Sequence, residues 1–519
     1  MSGCSNPNVT GDASMGSGNS ICFVGGFSIC QQRHYENIDS YVCVCSADSC
    51  DTIEPLGELD KDNAVVYSTG IKSDRLNRST VPLTSISTED VRVRIFPTKR
   101  FQTIFGFGGA LTDSSMIVLN ETIGLNVKLG NQLIRQYYGN DGLDYNLGRI
   151  PLASADFSTH IYSYLELEND WELKSFNFTE IDHYKAAFLR RIINETDGKL
   201  RLFSSPWSAP AWIKDSNSML SGKLKSLYKY KQLYARYFLR FFEEYYKLGV
   251  RFWGTTVQNE PSGEYGWQAM LMSPEEQREF VQVFLGPTLR ANWLTKDIKI
   301  MAHDDARSGI EDAARKIYSN EHSFIDGLGV HWYSQSSFDV LNNTHYLQPN
   351  KFILATEACN SYGEPHQPVL GSWNFAENYA HDIIQSLLNF VVGWVDWNIW
   401  LDTFGGPNWI GNFVDSPIIV NSTGEFYKQP MYYVLGHFSK FIQRDSQRIQ
   451  IKIDGYEGKE NDNLEAVGFV TPDSNYVVVL HNRDGGKSFD LVVGVDGQTE
   501  KFAKVHMPPK TIKTVIWKS

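Results

Sequence analysis

A chain of 519 residues, 42% hydrophobic and 13% aromatic, can bury a large core, and its length suits roughly two to four domains. A net charge of −12 and a pI near 5.5 argue against a nucleic-acid partner, because binding phosphates needs a basic face. No run approaches the roughly 18 uncharged apolar residues of a membrane span.

Residues 1–29 are rich in Gly, Ser and Asn and read as disordered. They lack a basic leader and make a poor signal peptide, so the natural N-terminus is expected to be missing or misassigned. Cys30, Cys43, Cys45 and Cys50 then crowd together at spacings of 13, 2 and 5. Zinc sites usually want two closely spaced pairs, so disulfides formed in an oxidising secretory compartment are the better reading, with three pairings open. Sequons at Asn8, Asn77, Asn120, Asn177, Asn194, Asn342 and Asn421 point to the same route.

Between 63 and 98 short runs alternate like strands of a β-domain. The pattern then changes. Apolar runs ending on Gly, Pro or polar residues recur at 103–111, 145–153, 200–211, 252–260, 298–302, 327–333, 352–359 and 391–401. Amphipathic stretches lie between them. Leu233, Tyr237, Phe241, Tyr245 and Leu248 keep a helical spacing that Gly249 ends, and Ser273-Pro274-Glu275-Glu276 is a capping box with proline at the first helical position. Eight strand–helix units predict an α/β fold, a (β/α)8 TIM barrel, with a doubly wound sheet as the less favoured alternative. A Gly- and Asn-rich excursion follows at 403–426, then a helix at 431–442. From 449 onward strand alternation returns, as in an antiparallel sandwich. The expected divisions are a disulfide-bonded module at 30–56 packing with 402–426, a β-sandwich from 57–102 plus 445–519, and the catalytic barrel from 103–401 plus 427–444.

In such a barrel chemistry sits at the C-terminal ends of the strands. The fourth run stops on Asn259-Glu260-Pro261, where proline ends a strand and leaves a carboxylate beside an amide. Alone, that is equally a surface glutamate in a turn. The other expected strand ends are polar and aromatic too: Asp113, Arg149, Asp156, Trp207, Trp212, Asp304, Asp305, His331-Trp332-Tyr333, Glu357, Trp394, Asp396 and Trp397. Two glutamates, one arginine and many tryptophans suit a neutral, ring-shaped polyol.

Glu260 and Glu357 are the expected catalytic pair. Glycoside hydrolysis needs one protonated carboxyl for the departing group and one ionised carboxylate facing the oxocarbenium-like carbon, about 5–5.5 Å apart if configuration is retained. Arg149 would keep one ionised, and a more apolar wall would raise the pKa of the other. His303-Asp304-Asp305 offers a weaker metal-binding reading, and 105–109 (FGFGG) lacks the lysine of a phosphate loop. No Gly-x-Ser-x-Gly elbow is present, which disfavours a serine hydrolase. Cys359 reads as a buried thiol.

Several stretches resemble the acid β-glucosidase branch of glycoside hydrolase family thirty: FGFGGALTD (105–113), RIPLASADFS (149–158), SPWSAPAWIK (205–214), NEPS (259–262), HWY (331–333), EAC (357–359), VGWVDWN (392–398), GGPNWIGNFVDSPII (405–419) and YKQPMYYVLGHFSKFI (427–442). The resemblance implies a retaining exo-β-glucosidase that hydrolyses glucosylceramide to glucose and ceramide by double displacement, in sphingolipid catabolism. It implies Glu260 as acid/base, Glu357 as nucleophile, Asp156, Trp207, Asn259 and Trp397 around the glucose, Asn412 and Tyr333 at the pocket rim, and Arg149 and Tyr265 orienting the carboxylates. It further implies pairs Cys30–Cys43 and Cys45–Cys50, no metal or cofactor, a saposin-type activator and anionic lipid at a membrane surface, and a lysosomal or secreted, peripheral location. The chain departs from the family in a shorter loop after Glu260, in the composition of 361–368, and in residues 1–29, which have no counterpart. Two other readings are a β-glycosidase of the same clan acting on xylose- or galactose-containing substrates, and a catalytically dead binding barrel.

Overall fold

The computed structural model describes residues 29–73, 75–85, 91–319, 324–455, 463–498 and 500–519. The N-terminal stretch expected to be disordered lies outside them except for Ile29, as does the Asn8 sequon.

The eight apolar runs form the eight parallel strands of a closed barrel: β1 (Gly106–Ala110), β2 (Leu147–Leu152), β3 (Arg201–Pro206), β4 (Gly254–Thr256), β5 (Lys299–Ala306), β6 (Gly327–His331), β7 (Phe352–Glu357) and β8 (Val391–Asn398). β8 pairs with β1 and closes the ring. Strands covered on both faces read as continuous apolar runs, and these are buried almost throughout. β1 explains the glycine cluster. A Cβ on Gly108 would lie 1.9 Å from the Leu147 carbonyl oxygen, so only glycine lets β2 approach. Inside the barrel Leu147, Phe203, Met301, Leu354, Val392 and Val395 pack into a plug, with Phe105, Trp253 and Phe352 against it. The barrel therefore has a solid floor and one open, catalytic end.

The outer helices follow the predicted patterns. Helix Tyr228–Lys247 buries Leu233, Tyr237, Phe241 and Tyr245, and Gly249 beyond it takes φ 82°. Ser273 and Glu276 form the capping box of helix Pro274–Phe280, which widens into a π turn at Val281–Leu285 before Gly286–Arg290. Helix Pro430–Ser439 packs against helix Trp373–Leu388 before the chain enters the sandwich.

The β-sandwich takes strands Asn63–Gly70, Asn77–Thr84 and Val91–Thr103 from the front of the chain and six more from Gln447–Asp454 to Thr511–Lys518. Two strands carry weak sequence signals: Asn77–Thr84, within the strand-like stretch 63–98, contains Pro82 and is largely exposed, and Phe502–Met507, which the pattern does not single out, exposes Lys504 and His506. The sheet is not wholly antiparallel: Phe489–Val495 runs parallel to Val91–Thr103, and hydrogen bonding continues around both layers.

The cysteine module supplies strands Gln31–His34 and Tyr41–Cys45 to a five-stranded sheet with Trp400–Asp402, Ile418–Asn421 and Glu425–Lys428. Disulfides join Cys30 to Cys43 and Cys45 to Cys50. The excursion after β8 contains strands: Ile418–Asn421 pairs with Trp400–Asp402 and Glu425–Lys428, and Phe426, Tyr427 and Lys428 pair in turn with Cys45, Val44 and Cys43 of the module. Among the described residues no helix is long and apolar enough to cross a membrane.

Candidate active site

β4 is shorter than the sequence pattern implies. Ladder pairing stops at Thr256, yet Val257, Asn259 and Glu260 still donate their backbone N–H groups to Met301, Pro206 and Asp304, each at 2.9 Å. Glu260 has φ 43°, a left-handed conformation directly before a proline, rather than the extended backbone expected there. Such a conformation persists only where surrounding bonds over-determine it. By contrast Glu357, the last residue of β7, is still paired in the ladder, opposite His331 of β6.

The two carboxylates meet across the barrel mouth. One oxygen of each and Nδ1 of His331 all lie within 4.8 Å of one another. Arg149 donates from Nη1 to Glu357 Oε2, and the Tyr333 hydroxyl donates to Oε1 at 3.1 Å. The Arg149 guanidinium is fully buried. It also reaches Asn259 Oδ1 at 2.8 Å, Asp304 Oδ2 at 2.9 Å and Ser205 Oγ at 3.0 Å. Its plane lies over Trp207 and Trp397 at 4.9 and 5.4 Å. One cation thus fixes the Glu357 carboxylate, the Asn259 amide and a buried aspartate together.

Glu260 has a different neighbourhood. Its Oε1 lies 3.2 Å from His331 Nδ1, and His331 Nε2 lies 3.2 Å from Asp304 Oδ1. Burial works against a charged imidazole. The negative charge of Glu357 and the hydrogen bonds to Asp304 and Glu260 outweigh it, and His331 is pushed up to about 10. Burial likewise opposes ionisation of Asp304, but Arg149 and His331 hold its carboxyl well below the usual range. Burial raises Glu260 above the ordinary glutamate value, and the charges of Glu357 and Asp305 add to this, while His331 pulls the other way. Glu260 is therefore the carboxyl biased toward its protonated form.

Between the two glutamates lies a pocket of about 240 Å³. Trp207 and Trp397 form one wall, stacked with centroids 5.0 Å apart at 20°. Asp156 lines it with one oxygen held by Asn412 Nδ2 at 2.9 Å, and Oδ1 has no partner among the described residues. Burial and the charge of Glu357 push Asp156 up to about 8. An unpartnered buried oxygen beside an indole wall is the receptor a sugar hydroxyl needs.

The expected site residues Glu260, Glu357, Asp156, Trp207, Asn259, Trp397, Asn412, Tyr333 and Tyr265 all line this pocket, and Arg149 lies behind it. Three expected roles change. Tyr333, expected at the rim, touches Glu357. Residues two apart on a strand share a face, so the chain leaving β6 points Tyr333 to the side that His331 serves. Tyr265, expected to orient a carboxylate, is 46% exposed on the loop beyond Pro261 and stacks on Trp267 at 5.4 Å. Among the described residues it makes no hydrogen bond to either glutamate; its hydroxyl pairs with Ser262. Asn412 acts through Asp156 rather than at the rim alone.

In sequence His331 stands among the polar strand ends and in the HWY stretch, and Asp304 among the strand ends and in the metal-binding reading; neither carries a role toward the glutamates there. A histidine closing an otherwise apolar strand, opposite two carboxylates, was the available signal. His303-Asp304-Asp305 do not converge: His303 Nε2 faces the Ala306 carbonyl at 3.2 Å and Asp304 faces Arg149. Glu260, His331 and Glu357 do converge, but the Arg149 cation already occupies Glu357, which disfavours a second cation there. Cys359 is buried, with Sγ 3.1 Å from the Tyr333 hydroxyl.

A barrel whose mouth holds two facing carboxyls, one fixed by arginine and one biased toward protonation, is that of a glycoside hydrolase. The chain belongs to glycosyl hydrolase family 30: residues 104–442 match its TIM-barrel domain and residues 445–515 its beta sandwich domain. It is 41% identical over 505 residues to putative glucosylceramidase 3 of Caenorhabditis elegans, covering 94% of this chain and 95% of that one. It is 36% identical over 496 residues to the lysosomal acid glucosylceramidase of Mus musculus, covering 92% and 94%. Among solved structures, SrfJ from Salmonella typhimurium superposes with a TM-score of 0.79 at 25% identity, covering 88% of this chain and all of that one.

Proposed function

We propose that this glycoside hydrolase is a retaining exo-β-glucosidase that cleaves glucosylceramide to glucose and ceramide, with Glu357 as nucleophile and Glu260 as acid/base. The observation that carries the reading is the carboxylate pair: oxygens within 4.8 Å leave no room for the intervening water of an inverting enzyme. Glu357 attacks the anomeric carbon while Glu260 gives its proton to the departing ceramide oxygen. Once Glu357 is esterified its charge is gone. Glu260 then loses a repulsion that held it protonated, its pKa falls, and it takes a proton from the water that releases glucose. Trp207 and Trp397 carry the C–H face of the sugar, while Asp156 and Asn259 receive its hydroxyls.

The aglycone side supports a lipid. Tyr265, Tyr362, Phe404 and Ile410 are exposed on the loops that build or adjoin the pocket mouth, an arrangement suited to reaching a substrate in a membrane surface. A saposin-type activator and anionic lipid are the partners implied by the family resemblance, and a lysosomal or secreted, peripheral site is the matching location. The two disulfides, the exposed sequons Asn77, Asn120, Asn177 and Asn194, and a Glu260 carboxyl that burial raises above the ordinary glutamate value all suit an acidic compartment reached through the secretory route. The test is hydrolysis of glucosylceramide at acidic pH followed by proton NMR. Retention requires β-glucose as the first-formed anomer; α-glucose would refute the double displacement.

A further inference from the structure

The stretch SPWSAPAWIK (205–214) ends on a lysine that the mechanism above does not use. Lys214 follows the single 3-10 turn Ala211–Ile213 and is completely buried. A lysine is almost never fully buried unless an opposite charge meets it, because its ammonium loses its hydration. Two other fully buried lysines obey that rule: Lys185 meets Asp113 at 2.8 Å and Lys428 meets Asp51 at 2.9 Å. Lys214 does not. Among the described residues it forms no ion pair. Glu264 and Asp215 are the charged groups that face it, and a backbone N–H already holds each, that of Gly222 on Glu264 at 2.6 Å and that of Lys223 on Asp215 at 2.7 Å. The Lys214 ammonium donates instead to two uncharged oxygens, Ser208 Oγ at 2.8 Å and the Ala269 carbonyl at 2.5 Å. An apolar side chain of the same length would fill this space at a lower desolvation cost, so the charge calls for an explanation other than stability.

The two acceptors come from different walls of the catalytic pocket. Ser208 directly follows Trp207, whose indole stacks with Trp397 in the sugar wall. Ala269 lies on the loop after Glu260, two residues beyond Trp267 and four beyond Tyr265, and both of those rings line the pocket. The loop is closed at its base, where the Met272 N–H donates to the Pro261 carbonyl at 3.0 Å. The group that protonates the leaving oxygen must face the aglycone, so the loop that follows Glu260 stands on the leaving-group side.

We propose that Lys214 is a positioning residue for the leaving group: by joining the Ala269 carbonyl to Ser208 it holds Tyr265 and Trp267 in place beside the Trp207 wall and so sets how the aglycone binds. The inference rests on the β-glucosidase reading above. Burial pushes Lys214 down to about 7, with the charges of Glu264 and Asp215 opposing it. Hydrogen bonds from an ammonium are roughly twice as strong as those from a neutral amine, so the tie is firm in acid and weaker above neutrality.

The test uses the full chain and measures KM for a long-chain alkyl β-glucoside and for 4-nitrophenyl β-glucoside at about pH 5.5 and about pH 8, together with Tm. Dividing the first KM by the second cancels titrations, such as that of Glu260, that bear on both substrates. In the parent the ratio should rise about threefold between the two pH values, as the ammonium is lost. Lys214→Met should raise it about fivefold at the acidic pH and keep it level on going to the alkaline one. Should that variant not fold, Ser208→Ala removes one of the two hydrogen bonds and adds no volume, and it should raise the acidic ratio about twofold. Equal losses on both substrates with a lowered Tm would make Lys214 purely structural and overturn the proposal, as would a ratio that neither substitution moves. A parent inactive on the aryl glucoside would sink the glucosidase reading and the positioning role with it.

Discussion

The two halves of the catalytic pocket are built on different principles. On the Glu357 side the carboxylate ends a strand still paired in the ladder and is gripped by a fully buried arginine and a tyrosine hydroxyl. On the Glu260 side the strand has already lost its ladder, the backbone is left-handed before a proline, and the carboxyl meets a single histidine nitrogen. A nucleophile must be charged and aimed at one carbon, so rigidity and a cation serve it. An acid/base must gain and lose a proton within each cycle, so burial and a neighbour whose charge disappears midway serve it better. The asymmetry of the surroundings is the basis for dividing the roles.

The strongest way to break that comparison is at its rigid half. Glu357→Gln should abolish turnover by roughly 10⁴-fold or more while circular dichroism and Tm stay native-like; retained activity would remove the nucleophile assignment. Arg149→Met comes next. It leaves the Glu357 and Asp304 carboxylates buried without their cation, a loss of roughly 3–5 kcal/mol, and should lower both Tm and kcat/KM. A variant as stable as the parent would show that the network is not what fixes this wall.

The softer half predicts subtler changes. Glu260→Ala should slow glucosides with poor leaving groups far more than activated aryl glucosides, measured as kcat for the two classes; equal loss would argue against an acid role. His331→Gln removes a hydrogen bond and a charge that both lower Glu260. Glu260 should therefore hold its proton to higher pH, and the alkaline limb of the kcat/KM profile should move upward. No movement, or a shift toward acid, would mean that His331 does not tune this carboxyl. Smallest of all, Tyr265→Ala should raise KM for long-chain glucosides a few-fold and leave aryl glucoside kcat unchanged, in keeping with its place at the rim.

Much of this was legible in the chain. Strands buried on both faces have continuous apolar runs, and those that end on polar residues announce a barrel mouth, so all eight barrel strands and both glutamates could be read directly. Asn77–Thr84 could not, because Pro82 and an exposed face erase the alternation that a covered strand shows. Roles within the site were harder for a geometric reason. Between β6 and β7 the register shifts at Val330 and His331, bringing His331 opposite Glu357. Which ring reaches a carboxylate, Tyr333 or Tyr265, depends on that slip and on the path of a loop. Neither is encoded in local periodicity.

The central claim is that Glu357, in the rigid half, forms the bond to glucose. A mechanism-based cyclitol epoxide of gluco configuration alkylates the residue that attacks C1, and peptide mass spectrometry of the treated protein locates the adduct. The account predicts stoichiometric labelling on Glu357, with activity lost in parallel. Labelling on Glu260, or inactivation with Glu357 unmodified, would contradict it.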